Sequence, residues 1–231
     1  MILGFGDASV AAVVRPGAGA LLWHDGVTRR AGDPRIEALG GEAGWRATDG
    51  NGLDVVLEPL GGPASFADGT REWLCRVRGT AAGVAVECLG HAVAEAAPGR
   101  GWKRPGLGRE VAAWLGDDLA VALRARRPSR AKNHEAEEVS GFVWRGDPVG
   151  PHPIDDPRLS TAYAGDGVQR RAGLELWETE ESEFPLRLAG ETVGEGELEL
   201  AGGLRLRCAF LRWHHGGRVG AGRYDIVRAG A

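Results

Sequence analysis

The fold is decided near the C-terminus, where residues 198–227 read LELAGGLRLRCAFLRWHHGGRVGAGRYDIV. Apolar residues alternate with charged ones on both sides of the glycine pair Gly202–Gly203. A period of two puts successive side chains on opposite faces of a β-strand, and a short glycine-containing break between two such runs favours a hairpin loop. A second pair, Gly216–Gly217, precedes the last run. The stretch therefore predicts a three-strand antiparallel meander.

The same period of two recurs along the chain. Further alternating runs lie at Leu53–Glu58, Trp73–Arg78, Leu119–Leu123 and Ala172–Trp177. A short helix is suggested at Gly108–Leu115, and no segment repeats at a short fixed period. A dozen or more strands without a helical layer must close or stack, because open sheet edges invite aggregation. We therefore predict an all-β protein of antiparallel barrels, built as two packed β halves.

The boundary between the halves is predicted at the arginine-rich stretch around Pro128, which we interpret as a solvated linker. This interpretation gives an N-terminal barrel-like half at residues 1–125 and a C-terminal half at residues 126–231. A homodimer is the candidate assembly.

Composition excludes several function classes. The net charge of −4 gives no general attraction to nucleic acid. Residues 1–14 are apolar without a preceding basic segment, which is not typical of a signal peptide, and no apolar run reaches the about 18 residues of a membrane-spanning helix. Three cysteines, Cys75, Cys88 and Cys208, form no Cys-x-x-Cys pair. We expect reduced thiols and a cytoplasmic protein, with a Cys75–Cys88 disulfide as the alternative.

Motifs for nucleotide or metal chemistry are missing from the sequence. The glycines at 217, 220 and 222 open a strand rather than a helix, so they do not predict a phosphate site. His134-Glu135 lacks the second histidine of a zinc-protease helix. We therefore predict no cofactor and no metal.

Tryptophan is unusually frequent, with eight against two tyrosines and five phenylalanines. In a barrel these rings fill the core or line an apolar cavity. We predict that Trp144 and Trp213 wall such a cavity and that polar groups stand near its mouth. The predicted ligand-binding residues are Trp144, Trp213, Tyr163 and Arg223, and the predicted catalytic residues are Asp225 and His91. The structural alternative for Asp225 is a bond to Arg223 or to the backbone.

Three short stretches resemble one known group of proteins. Residues 76–91, with Arg-Val-Arg-Gly-Thr at the start and Glu-Cys-Leu-Gly-His at the end, are similar to the middle of bacterial proteins related to hydroxyneurosporene synthase. Gly141–Asp147 and Gly220–Val227 are similar to later strands of the same group. The resemblance covers about the last two-thirds of the chain and implies paired lipocalin-like barrels in a shortened member.

The resemblance departs at the polar motif of that group. Its members continue after Gly-His with a segment of the Arg-Asp-His-Ser-Trp-Gly type, whereas residues 92–99 here read AVAEAAPG. Only His91 carries over from that motif. The resemblance therefore supports the fold more than the activity.

Three functions are left open by the sequence, as is the question whether the protein is an enzyme. The first is binding of a lipid, isoprenoid or polyketide-like molecule in a Trp-lined cavity. The second is a cofactor-independent hydratase, cyclase or isomerase that protonates an isoprenoid-like substrate. Its candidate acids are Asp225, Glu135 and Asp166, with His91 or His134 as proton partner. The third is a structural barrel with a filled core.

Overall fold

A computed structural model describes residues 1–40, 43–95, 105–128, 137–145, 150–165 and 167–229. Every regular element in these ranges is a β-strand, and every pairing between strands is antiparallel. The all-β antiparallel prediction is confirmed.

The first sheet takes the N-terminal strands. They are β1 (Ile2–Gly6), β2 (Val10–Arg15), β3 (Gly19–His24), β4 (Val27–Ala31), β5 (Arg35–Ala38), β6 (Trp45–Thr48), β7 (Leu53–Pro59), β8 (Ala64–Ser65), β9 (Arg71–Ala81) and β10 (Val84–Ala94). The strand order is β4-β3-β2-β1-β10-β9-β7-β6-β5, and β8 pairs with β9.

The second sheet takes the remaining strands. They are β11 (Pro105–Leu115), β12 (Leu119–Pro128), β13 (Glu138–Arg145), β14 (Gly150–Pro153), β15 (Asp156–Tyr163), β16 (Gln169–Trp177), β17 (Leu186–Leu200), β18 (Leu204–His215) and β19 (Arg218–Ala229). The order is β14-β13-β12-β11-β19-β18-β17-β16-β15. The predicted meander is confirmed, because β17, β18 and β19 are neighbours joined by the two glycine turns.

Each sheet curls around its own apolar cluster. In the first, residues such as Phe5, Val55 and Val77 form the interior, and in the second, residues such as Val121, Leu174 and Trp213 do so. Two further clusters contain side chains of both sheets and lie between them. The central strands are therefore buried on both faces, one toward a barrel interior and one toward the other barrel.

This double burial explains why a helix was wrongly predicted at residues 108–115. Val111 and Leu115 of β11 face the second barrel interior, whereas Ala112 and Trp114 face the first sheet. With apolar residues on both faces, the period of two is hidden in the sequence.

The strands divide between the sheets at residues 95–104, between the end of β10 and the start of β11. The sequence placed the boundary between residues 125 and 126, which lies inside β12 of the second sheet. Arg124, Arg126 and Arg127 of its arginine-rich stretch lie in this strand rather than in a linker, and Arg130 and Lys132 lie outside the described residues. Arg124 is only 4% exposed, and carboxylates of both sheets surround it.

The cysteines are all free thiols. On the paired strands β9 and β10, Cys75 lies opposite Gly90 and Cys88 lies opposite Val77, so the two sulfurs are not cross-strand partners. Burial raises the pKa of all three thiols to about 12. They are therefore protonated and poorly nucleophilic at neutral pH.

Substitution of Gly79 tests the close approach of β9 to β7 in the first sheet. Its φ is +142°, and a Cβ there would collide with the backbone carbonyl of Asp54 on β7. We expect Gly79→Ala to lower the free energy of unfolding by roughly 2–4 kcal/mol, because backbone strain and a steric clash add. The measurement is urea denaturation. Gly83→Ala is the control, since Gly83 has a φ of +85° but no heavy atom within 4 Å of the place where a Cβ would lie. Equal losses in the two variants would contradict the predicted clash.

Candidate functional site

A cluster of charged side chains lies between the two sheets, and we call it the interface cluster. Its members project from the strand faces that turn away from the barrel interiors. The first sheet supplies Arg15, Glu72 and His91, and the second supplies Glu110, Arg124, Arg223 and Asp225. All are buried except Glu110, whose side chain is 13% exposed.

Arg124 joins the two sheets at the centre of this cluster. Its Nη1 lies 3.5 Å from Oε1 of Glu110 on the adjacent strand. Its Nε lies 3.8 Å from Oε2 of Glu72 on β9, and its Nη1 donates to Oγ1 of Thr70, the residue before β9, at 3.5 Å. The guanidinium also stands 5.0 Å from the ring centroid of Phe66. One cation thus bonds to carboxylates from two separate barrels.

Glu110 is shared by three guanidinium groups. Besides Arg124, Nη2 of Arg15 lies 3.4 Å and Nη2 of Arg223 lies 3.8 Å from its Oε2. Burial alone would raise the pKa of Glu110, but the charges of Arg124, Arg15 and Arg223 lower it to about 2. Glu110 is therefore a permanent anion at neutral pH.

Glu72 has the opposite balance. Its burial raises the pKa to about 7, even though Arg124 and Arg223 act to lower it. Its Oε1 lies 3.2 Å from Nδ1 of His91. Glu72 therefore exchanges a proton near neutral pH, which is unusual for a carboxyl group.

His91 is held as a neutral imidazole between two indole rings. Burial lowers its pKa to about 3, and the charge of Arg223 acts in the same direction. Nε1 of Trp114 donates to its Nδ1 at 3.3 Å. The ring centroid of Trp144 lies 4.9 Å from that of the imidazole. The His91 Nε2 makes no hydrogen bond within the described part of the chain.

Asp225 is completely buried and forms an ion pair with Nη1 of Arg223, two residues earlier on β19. Gly4 makes room for this pair, because a Cβ at Gly4 would lie 2.6 Å from Nε of Arg223. Of the two predicted structural alternatives for Asp225, the bond to Arg223 is the arrangement seen here. Its Oδ1 has no hydrogen-bond partner among the described residues.

The structure brings some predicted site residues together and separates others. Trp213 lies inside the second barrel, on the opposite face of the second sheet from Trp144. Tyr163 ends β15 and is 49% exposed. The residues gathered between the sheets are His91, Trp144, Arg223 and Asp225. The candidates outside the described residues are His134, Glu135 and Asp166.

A second feature, which we call the aromatic cleft, opens at one end of the first barrel. There β6 and β9 begin and β7 ends. The cleft has a volume of about 570 Å³. Its defining residues are Trp45, Pro59, Leu60, Arg71 and Trp73. The two indole centroids are 5.2 Å apart at an interplanar angle of 59°, and both rings are half-buried.

The aromatic cleft was not predicted from the sequence, although a signal for it was present. Trp73 shares its strand face with Cys75 and Val77, which line the barrel interior. As the first aromatic residue of β9, it must lie at the end of that interior. Trp45 opens β6 in the same way, but its strand is too short to show an alternating pattern.

Neither a metal-binding group nor a membrane-spanning helix is found within the described ranges. No group of three or more His, Cys, Asp or Glu side chains is placed there to hold a metal ion. Among the same residues there is no helix of the length and apolarity that crossing a bilayer requires.

Comparison with known proteins shows which known fold the chain resembles. No protein-family model and no curated protein matches the chain. Among solved structures, a candidate AttH from Nitrosomonas europaea superposes over 97% of this chain and 85% of its own, with a TM-score of 0.59 and 10% identity. This is the two-barrel, lipocalin-like fold. At this identity the likeness shows the fold alone.

A second solved structure aligns over most of both chains without a usable superposition. It is a DUF3598-family protein from Nostoc punctiforme, 11% identical, covering 98% of this chain and 95% of its own. The TM-score of this pair is 0.18.

Arg124 tests whether the interface cluster ties the barrels together. We expect Arg124→Met to lower the free energy of unfolding by about 3 kcal/mol or more, because Glu72 and Glu110 then lose a buried counter-charge. The control is Arg78→Met, which removes an exposed arginine paired with Glu58 and Glu87 and should cost less than about 1 kcal/mol. Chemical denaturation of both variants measures the difference. Similar costs would show that the cluster stabilises no more than a surface pair.

Glu72 predicts a specific dependence of stability on pH. Its pKa is about 7 in the fold against an ordinary 4.5, so folding favours the protonated form. That contribution is complete below about pH 4.5 and is lost as the pH rises through about 7. Glu72→Gln cannot ionise and escapes this loss. We expect the variant to gain about 1–2 kcal/mol relative to the wild type between about pH 5.5 and 8.5.

The measurement is urea denaturation of both proteins across that range. The matched control is Glu87→Gln on the neighbouring strand, because Glu87 has a 66% exposed side chain. Its stability curve should stay parallel to that of the wild type. A parallel curve for Glu72→Gln as well would show that Glu72 is ionised throughout the range.

Proposed function

We propose that the protein binds a small hydrophobic molecule in the aromatic cleft. The observation that supports this proposal is the pair of half-buried tryptophans, Trp45 and Trp73, facing a cleft of about 570 Å³. Ligand sites typically have volumes of roughly 300–1,000 Å³, apolar and aromatic walls and few polar groups. The rest of the described lining is glycine, alanine, proline and leucine, apart from Arg71.

A groove of about 600 Å³ on the second barrel is a weaker candidate. It is lined by Glu175, Arg187 and His215 beside Leu174 and Leu188, and it contains no Trp, Tyr or Phe among the described residues. His215 is also engaged, because its Nδ1 lies 2.9 Å from the carbonyl oxygen of Arg187. The groove is also more open to solvent than the aromatic cleft, so an apolar molecule would keep more of its contact with water there.

Binding rather than acid catalysis is the function that the aromatic cleft favours. Arg71 is the one ionisable side chain among the described residues that line it, and a guanidinium does not release a proton at neutral pH. Glu72, the next residue along β9, points instead to the interface cluster. A proton donor is therefore close in sequence to the cleft but on the other face of the strand.

The relationship to proteins related to hydroxyneurosporene synthase remains a proposal. It is supported by the short motifs around His91, Trp144 and Tyr224, together with the two-barrel fold. The hydratase or cyclase alternative would use His91 and Asp225, which lie in the interface cluster. The described lining of the aromatic cleft supplies no acid for such a reaction.

Replacement of Trp73 tests the proposed site. We expect the purified protein to bind phenylnaphthylamine, a neutral aromatic probe that fluoresces when it leaves water. Trp73→Leu should weaken this binding about tenfold, which corresponds to about 1.4 kcal/mol of lost aromatic contact. The control is Trp177→Leu, because Trp177 is a half-buried tryptophan on β16 of the second sheet. It should leave the affinity unchanged.

Fluorescence titration measures the affinity of the three proteins for the probe, and thermal melts confirm that each protein is folded. Equal weakening of the affinity by both substitutions would show that the probe does not bind in the aromatic cleft. A wild-type protein that binds neither the probe nor any fatty acid or isoprenoid, and that shows a single unliganded mass in native mass spectrometry, would favour the structural barrel.

A further inference from the structure

Arg71 stands at the rim of the aromatic cleft, on the same strand face as Trp73. The two residues are separated by one position on β9, so their side chains project in the same direction. The guanidinium carbon of Arg71 lies 4.8 Å from the ring centroid of Trp73. When a guanidinium lies over an aromatic ring, its N–H groups point outward from its edge and remain free to bond to a ligand.

The charge of Arg71 is not neutralised within the described part of the chain, where it forms no ion pair. Its cross-strand neighbours, Ser65 and Ala94, carry no charge. Arg78 differs, because on the opposite face of the same strand it reaches Glu58 and Glu87 at 3.4 and 3.2 Å. Arg71 is thus an exposed cation that contacts Trp73 beside the aromatic cleft and has no ion-pair partner among the described residues.

We propose that the ligand of the aromatic cleft is a small apolar molecule with one anionic group, such as a carboxylate. The anionic group would bond to the Arg71 guanidinium, and the apolar body would lie against Trp45 and Trp73. This inference rests on the proposed function and adds the chemical class of the ligand. Fatty acids and aromatic acids share this chemistry.

The physical basis is the bond between a planar guanidinium and an oxyanion. Two parallel N–H groups of Arg71 match the two oxygens of a carboxylate, and such charge-assisted bonds are about twice as strong as neutral ones. The indole beneath the guanidinium excludes water from one of its faces, which strengthens the electrostatic attraction. A neutral molecule of the same shape gains only the apolar contacts.

Two probes with the same rings separate these contributions. Anilinonaphthalene sulfonate carries a negative charge, whereas phenylnaphthylamine does not. We expect Arg71→Met to weaken sulfonate binding at least tenfold and to change binding of the neutral probe less than twofold. Arg71→Lys should recover part of the loss. Arg78→Met, a matched arginine on the other face of β9, should leave the affinity of both probes unchanged.

Competition extends the test to a natural type of ligand. Dodecanoate should displace the sulfonate probe from the wild-type protein, and methyl dodecanoate should do so at least tenfold less well. This preference for the acid over the ester should disappear in Arg71→Met.

The outcomes distinguish the two proposals. Binding of the neutral probe that depends on Trp73, together with an unchanged affinity for sulfonate in Arg71→Met, would overturn the anionic ligand and leave the hydrophobic site standing. An equal loss of both probes in Arg71→Met would also overturn it, because Arg71 would then act by packing alone. Failure of both probes to bind the wild-type protein would overturn the proposed function itself.

Discussion

The contact of Arg124 with both Glu72 and Glu110 is the constraint on which the two-barrel arrangement depends. A buried charge is tolerated only where counter-charges and hydrogen bonds replace water. Arg124 and Glu110 belong to the second sheet, whereas Glu72 belongs to the first. Arg124 with Glu72, and Arg15 with Glu110, form ion pairs between the two sheets. Separated barrels would therefore expose a surface that is both apolar and charged.

The position of Glu72 in the interface cluster gives the two faces of β9 different environments. At the start of β9, Arg71 and Trp73 face the open end of the first barrel, and Glu72 faces the second sheet. Pleating alone separates a half-exposed aromatic surface from a buried proton-exchanging carboxyl. Because the backbone of β9 is paired with β10 on one side and with β7 and β8 on the other, this separation is fixed by the sheet itself.

The fold was predictable from the sequence to a greater extent than the site. Alternation around Gly202–Gly203 indicated the meander because the ends of β17 and β18 beside that turn have one face more exposed than the other. The strands nearest the interface are buried on both faces, so residues 108–115 lost the alternating signal. Trp144 and Trp213 were assigned to one cavity although they face opposite ways, since the face of a residue depends on a register that composition does not encode. Arg124 resembled a linker residue because its carboxylate partners are distant in sequence.

The alternation along β9 also limits how this protein can diverge. A single-residue insertion between Trp73 and the middle of the strand would move Glu72 into the aromatic cleft and turn Arg71 and Trp73 toward the second sheet. Both the ion network and the hydrophobic wall would be lost in one step. Insertions and deletions should therefore be absent from this segment in any functional descendant, whereas replacement of side chains on the cleft face can proceed freely. The cleft surface can change over evolutionary time while the junction between the barrels stays the same.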